Sequence, residues 1–374
     1  MLINFLELTR EHEEVGDEVR AAVESVHASG IYILGDEVEA FEREWASYCG
    51  VPACAGTASG TDALTLALLA SGAVRPGRGD EVITTSLTAG YTGLAILNAG
   101  AVPVFADIDA KTYTLAPDKL ERVRTARTRA IVPVHLYGQM ADMEAISDFS
   151  ARHDLFIIED AAQAHGARLG GKRAGAWGHA AAFSFYPTKN LGAYGDGGAV
   201  TSTDARLIER VRELRQGGHA RGLKGELAGI NSRLDEVQAA ALRIKLKYLD
   251  GWNRRRRALA DMYRRLLLRS DRGLVVPAVR AGSNSHVNHL YVVRCRERDR
   301  LREHLAERGI ETLIHYPLLL HQQPLFQRGS QPELPEAEAI AHQIFSLPLY
   351  PQLRDEELHV VAEAIHDFEV GNEE

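Results

Sequence analysis

The sequence predicts an α/β protein: a mostly parallel seven-stranded sheet followed by a smaller C-terminal α+β domain. Three observations carry this expectation. Short, near-continuously apolar runs alternate with stretches of helical periodicity, the pattern of strands covered on both faces. A long helical stretch without proline, Leu234 to about Leu268, then interrupts the alternation. Behind it come one strand, one helix, a second strand and a closing helix, which suits a small mixed domain. With 374 residues the chain is long enough for two domains, placed at 1–250 and 251–374.

The elements follow in order. Val15, Val19, Val23 and Val26 recur at helical spacing and give an opening helix that ends near Gly30. Ile31 to Gly35 is an extended link. Val38, Phe41, Trp45 and Tyr48 form the apolar stripe of a second helix and are read as core. The seven strands are Val51 to Ala55, Glu81 to Thr85, Val102 to Ile108, Ala130 to Leu136, Leu155 to Asp160, Ala180 to Phe185 and Ala199 to Thr203. Helices fit between them at Thr61 to Ser71, Gly90 to Ala99 and Met143 to His153. The run Arg254 to Arg257 lies inside the long helix and reads as a solvated or interface face. Arg269 to Gly282 is a boundary loop. After it, His289 to Cys295 is a strand, Arg298 to Arg308 a helix, Ile310 to Ile314 a strand and Asp355 to Phe368 the closing helix.

Composition narrows the function classes. The net charge of -8, from 43 basic and 51 acidic residues, argues against nucleic acid as the main partner but leaves room for an anionic substrate in a local basic pocket. Cys49, Cys54 and Cys295 form no CxxC pair, so a reducing compartment, the cytoplasm, is expected. Met1 to Thr9 lacks a basic region followed by a long apolar core, so no signal peptide is expected. No run reaches the ~18 apolar residues of a membrane span. No G-x-G-x-x-G follows the first strand, which argues against a nicotinamide-dependent Rossmann enzyme. His286 and His289 sit in a strand-like pattern that points them to opposite faces, so no metal site is expected.

Two strand ends carry chemistry. The apolar run Ala180 to Phe185 stops at Pro187, and Lys189 follows in a glycine-rich turn. A buried ammonium loses its water at high cost. Lysine escapes that cost as an imine, and it forms Schiff bases with pyridoxal phosphate. A surface-loop lysine is the plainer alternative. The strand Leu155 to Asp160 ends in two carboxylates. An acid beside the pyridine nitrogen would keep a pyridoxal ring protonated, and the carboxyl end of a parallel strand is where open α/β sheets bind ligands. On chemistry alone either Glu159 or Asp160 could serve. Ser59-Gly60-Thr61 lies between a strand and a helix, where free N–H groups and the helix dipole suit a phosphate, or where Ser59 simply caps the helix.

The motifs Ser59-Gly60-Thr61-Asp62-Ala63-Leu64, Pro133-Val134-His135-Leu136-Tyr137-Gly138-Gln139, Glu159-Asp160-Ala161-Ala162-Gln163, Ser184-Phe185-Tyr186-Pro187-Thr188-Lys189, Asn231-Ser232-Arg233-Leu234-Asp235 and His315-Tyr316-Pro317 occur in that order. With them the chain resembles the pyridoxal 5'-phosphate (PLP)-dependent sugar aminotransferases of the DegT/DnrJ/EryC1/StrS family, within the fold-type-I aminotransferases. The resemblance implies one antiparallel strand in the sheet, Lys189 as the Schiff-base lysine and Asp160 as the pyridinium partner. It implies Gly60, Thr61 and Ser184 at the cofactor phosphate and Gln163 near its phenolic oxygen. Asn231 would reach the phosphate from the partner subunit of a homodimer with shared sites. His315 and Tyr316 would face the substrate, and His165 would line the site or make a structural hydrogen bond. The implied reaction moves an amino group, from glutamate by family habit, to a nucleotide-linked keto sugar. Ala164-His165-Gly166 and Lys189 to Ala193 look most like members acting at C-3. The alternatives are a C-4 aminotransferase, a PLP-dependent sugar dehydratase, whose members carry histidine where Lys189 stands, and a PLP-binding regulator. One departure stands out: where the family has an aromatic residue stacking on the ring, this chain has Ala89 after Thr88, with Tyr91 two residues on.

Overall fold

The computed structural model describes residues 2–218, 228–268, 274–279, 284–327 and 333–368. The chain opens with α1 (Leu8–Ser29) and α2 (Asp36–Cys49). Each stops at a glycine in the left-handed region, Gly30 at φ 67° and Gly50 at φ 81°, where other residues would be strained. There follow β1 (Ala53–Thr57), α3 (Gly60–Ser71), β2 (Glu81–Thr85), α4 (Gly90–Asn98), β3 (Val102–Ala106), the short α5 (Leu120–Val123), β4 (Thr128–Ile131), α6 (Met143–His153) and β5 (Phe156–Asp160). A small hairpin, β6 (Arg168–Leu169) with β7 (Lys172–Arg173), precedes β8 (Ala180–Ser184), β9 (Gly198–Ser202) and α7 (Ala205–Leu214).

Seven strands form the main sheet in the order β1-β9-β8-β5-β4-β2-β3. Only β9 runs against the rest: it pairs antiparallel with both β1 and β8, while the other pairs are parallel. Strand alternation sorts the side chains into two layers. Ile83, Ile131, Ile157, Ala181 and Ala199 join α2, α6 and α8 in one core. Their neighbours Val82, Ala130, Ile158, Ala182 and Val200 join α3, α4 and α7 in the other.

The long helix α8 (Glu236–Leu267) runs unbroken through residue 250, where the sequence reading divides the chain. Its first half lies against α1, with Val15 and Val19 packed on Ala241 and Trp252. Its last turns, through Leu259, Tyr263 and Leu267, join a separate core with β10 (Tyr291–Arg294), α9 (Arg298–Glu307), β11 (Ile344–Leu347), α11 (Asp355–His366) and Ile3. The short α10 (Pro335–Ala341) lies before β11. β10 and β11 pair antiparallel.

Several expectations need correction. The fourth strand stops at Ile131, not Leu136, because Pro133 has no N–H for the ladder and the chain turns at Leu136–Gly138 with Tyr137 at φ 59°. The first strand begins two residues later than expected. Ile310 to Ile314 forms no strand; it makes single bridges, Ile310 to Ile3 and Leu313 to Ser346. The strand expected at His289 to Cys295 begins at Tyr291, so His286 and His289 lie in the loop before it. Of the boundary loop Arg269 to Gly282, residues 269–273 and 280–282 lie outside the described residues.

Candidate active site

The lysine sits in a tight turn at the end of β8. Lys189 N–H donates to the Tyr186 carbonyl at 2.8 Å, and Ala193 N–H closes the turn on the Phe185 carbonyl at 2.7 Å. A Cβ on Gly192 would stand 2.3 Å from the Pro187 carbonyl oxygen, so only glycine fits there. Burial pushes the Lys189 amine down to about 8, against the pull of Asp160. Among the described residues no hydrogen bond or ion pair holds its Nζ.

β5 delivers two carboxylates to opposite faces. Glu159 is fully buried and accepts from Gly175, Trp177 and Gly178 N–H at 3.0, 2.9 and 2.8 Å. His135 adds a fourth bond at 2.8 Å; its Nδ1 accepts from Ala141 N–H, so its Nε2 donates to Glu159. Burial raises this carboxyl, but the His135 and backbone donors outweigh burial and hold it below its ordinary value. Asp160 points the other way, toward Lys189. Its Oδ2 accepts from the Thr92 hydroxyl at 2.8 Å, and Thr88 lies 3.1 Å behind Thr92. Thr92 carried no signal in the sequence; only the packing of α4 on the end of β5 reveals it.

A third wall comes from the start of α3. Ser59 caps the helix by accepting from Asp62 N–H at 3.1 Å, so the plain reading of this serine holds. The N–H groups of Gly60 and Thr61 find no partner among the described residues. A Cβ on Gly60 would sit 2.5 Å from Ser184 Cβ, and one on Gly198 would sit 2.3 Å from the Ser59 carbonyl oxygen. The helix start is thereby pressed directly against Ser184. Ser232 braces this loop, accepting from Ala58 N–H at 3.0 Å and donating to Asp62 at 2.8 Å. Its neighbour Asn231 is exposed and is not gathered with these groups within the chain.

The fourth wall is built from distant segments. Gln163 accepts from Tyr137 N–H at 2.6 Å and donates to the Tyr316 hydroxyl at 2.9 Å. Burial pushes the Tyr316 hydroxyl up to about 12. Tyr137 donates its hydroxyl to the His315 carbonyl, and His315 Nδ1 lies 2.9 Å from Ser346 Oγ. Burial, aided by the charge of Lys189, lowers His315 to about 4, so its ring is neutral at pH 7. His165 is fully buried, stacked on Phe183 and Phe185 and edge-on to Trp45. Beneath the lysine, Asn190 donates to Asn253 at 2.8 Å and accepts from His289 at 3.1 Å. His286 accepts from Asn288 N–H instead, so the two histidines serve different neighbours. No group of metal-ligating side chains is found among the described residues. Ala89 precedes α4 with no aromatic side chain to offer, and Tyr91 is 67% exposed.

A desolvated lysine, a carboxylate facing it, and a helix start beside a serine, with first N–H groups that have no partner among the described residues, lie together at one end of this sheet. The chain belongs to the DegT/DnrJ/EryC1/StrS aminotransferase family, which matches residues 13–366. It is 47% identical to the dTDP-3-amino-3,4,6-trideoxy-alpha-D-glucose transaminase of Streptomyces venezuelae, across 98% of this chain and 96% of the relative. It is 45% identical to the pleiotropic regulatory protein of Geobacillus stearothermophilus, across 98% and 99%. The solved structure of S. venezuelae DesV in complex with a ketimine intermediate superposes with a TM-score of 0.93 at 46% identity, across 98% of each chain. No helix among the described residues is long and apolar enough to cross a membrane.

Proposed function

We propose that this chain is a PLP-dependent aminotransferase that moves an amino group to C-3 of a nucleotide-linked keto sugar. The observation that carries the reading is Lys189: an amine lowered to about 8 by burial, unpartnered, and opposite Asp160. The residues present fit the cofactor. Free N–H groups at Gly60 and Thr61, beside Ser184, offer donors of the right kind for a phosphate dianion, and the glycine cradle leaves no room for a side chain. PLP, when bound, supplies an electron sink for the carbon that bears the transferred nitrogen.

The chain's own residues do the rest. Lys189 would hold the cofactor through its amine, and the same amine, when free, would take and return a proton at the reacting carbon. An amine near 8 suits this work, because a general base is most effective when its pKa lies near the working pH. Asp160 would keep the cofactor's pyridine nitrogen protonated, and Thr92 orients the carboxylate. Gln163, which fixes Tyr316 through its side-chain amide, would hold the cofactor's phenolic oxygen, and Tyr316 with His315 would face the sugar nucleotide. Glutamate is the donor, and the enzyme works in the cytoplasm as a homodimer in which Asn231 serves the partner's site. The chain divides into a cofactor-binding part, 1–250, and a smaller part, 251–374. The name of the S. venezuelae relative supports C-3 over C-4. Lys189 argues against the dehydratase reading, since a histidine would stand there.

A second reading, a PLP-binding regulator without turnover, is favoured by the name of the G. stearothermophilus relative. Absorbance during a half-reaction with glutamate separates the two. The enzyme converts its cofactor to the amine form and then aminates one member of a panel of nucleotide keto sugars; a regulator does neither. The shared site has its own test. Lys189→Ala and Asn231→Ala each damage both sites alone, but on subunit exchange about half the dimers are mixed and about a quarter of all sites are intact. Activity rises toward that fraction of wild type. Flat activity, with exchange verified by native mass spectrometry, overturns sharing.

A further inference from the structure

We propose that Lys245, on α8, is a positioning residue for Lys189, and that Glu11, on α1, sets the place of Lys245. The inference rests on the reading of Lys189 as the cofactor lysine. Lys245 is 2% exposed, so its ammonium has left water and needs charged or polar partners inside the protein. It has three. Its Nζ donates to the Gly192 carbonyl at 2.8 Å, pairs with Glu11 Oε1 at 2.6 Å and lies 4.1 Å from the centre of the Tyr194 ring. Gly192 and Tyr194 both belong to the segment that carries Lys189.

That segment is held at both ends by backbone bonds and beneath by Asn190. On the remaining side, Lys245 grips the backbone through the Gly192 carbonyl. Gly192 is already pressed on Pro187, so a shift of its carbonyl is transmitted to the turn rather than absorbed. Gln238, two turns earlier on α8, accepts from Tyr194 N–H at 2.8 Å and supports the same register. Glu11 is 13% exposed at its side chain and belongs to a different helix, so the grip depends on α1 staying docked. Val15 and Val19 dock it, packing on Ala241 and Trp252 of α8.

The test compares wild type with Lys245→Met, Lys245→Arg and Glu11→Gln. Loaded enzyme gives kcat and KM. Apo protein gives the rate at which acetic anhydride acylates Lys189, read by peptide mass spectrometry against the exposed Lys111 and followed over pH. Lys245→Met lowers kcat at least ~10-fold, because small misplacements of a reacting group cost up to ~10²-fold. KM stays within about threefold, since the sugar nucleotide is bound elsewhere. The acylation midpoint of Lys189 moves away from about 8 while Lys111 is unchanged. Lys245→Arg, which keeps charge and donors, restores most of the rate. Glu11→Gln shifts kcat and midpoint in the same direction, and adds nothing to Lys245→Met in the double variant. If Lys245→Met keeps both kcat and Lys189 acylation within about twofold of wild type, the proposal is overturned. If Lys245→Met does not fold, Glu11→Gln decides: an unchanged kcat and midpoint overturn the proposal, a shared shift supports it. Borohydride reduction of loaded wild type isolates the underlying reading. An adduct on a lysine other than Lys189 overturns that reading, whatever the Lys245 variants do.

Discussion

Glu159 and Asp160 are adjacent on one strand and carry the same functional group, yet the two faces of the sheet treat them differently. Glu159 is fully buried and receives four hydrogen bonds, three from the backbone of 175–178 and one from His135. It ties the loop before β8 to the sheet. Asp160 receives a hydroxyl from Thr92, a longer bond from Ala162 N–H, and faces an amine that has no partner among the described residues. Spending every acceptor site on the protein fixes structure. Leaving a carboxylate and an amine incompletely satisfied at the mouth of the sheet leaves them able to act on something else.

The sharpest way to break this contrast is on the Asp160 face. Lys189→Ala removes turnover by several orders of magnitude, since nothing else there can relay the proton. It does not destabilise the fold, because it removes a desolvated amine rather than a partnered one; thermal unfolding of the apo variant checks this. A strongly lowered melting temperature would show that Lys189 has a structural role. Next comes the pair itself. Asp160→Asn lowers single-turnover rates at least ~10²-fold with little change in stability. Glu159→Gln costs roughly 3 kcal/mol in urea unfolding, because an amide must now meet backbone donors with a donor of its own, and turnover of the folded fraction falls far less. The opposite ranking would exchange the roles.

Titration sharpens the contrast further. The Glu159 carboxyl is lower folded than its ordinary value of 4.5, so below that pH the unfolded chain binds the extra proton. Its contribution to stability is complete above 4.5 and is lost as the pH falls toward the folded value. Glu159→Gln lacks this contribution, so the stability gap to wild type narrows on acidification, as acid titration of urea midpoints would record. Lys189 behaves in the other sense: its amine is lowered from 10.5 to about 8, so the folded form gains stability as pH rises between those values. The smallest effect is at Ala89. Ala89 is half-buried just before α4, and Ala89→Phe tightens PLP by on the order of 1 kcal/mol. Loss of cofactor from the folded variant would show the space already taken.

Much of this was legible in the chain. The spacing of Met143 to His153 gives α6 to the residue, and the apolar runs give all seven main strands within a few positions. The lysine turn and the double carboxylate stand out because strand ends, prolines and glycines leave short-range marks. Strand alternation also says that only one of Glu159 and Asp160 can face the lysine. Which one does so was decided by tertiary structure, through the loop 175–178 and His135 closing on Glu159. The same holds for Thr92 beside Asp160, for the Asn190, Asn253 and His289 set, and for Lys245 with Glu11. Local pattern fixes an element because its hydrogen bonds and its apolar face repeat along the chain. A buried polar contact between distant residues repeats nowhere, and exists only once packing has brought its two halves out of water together.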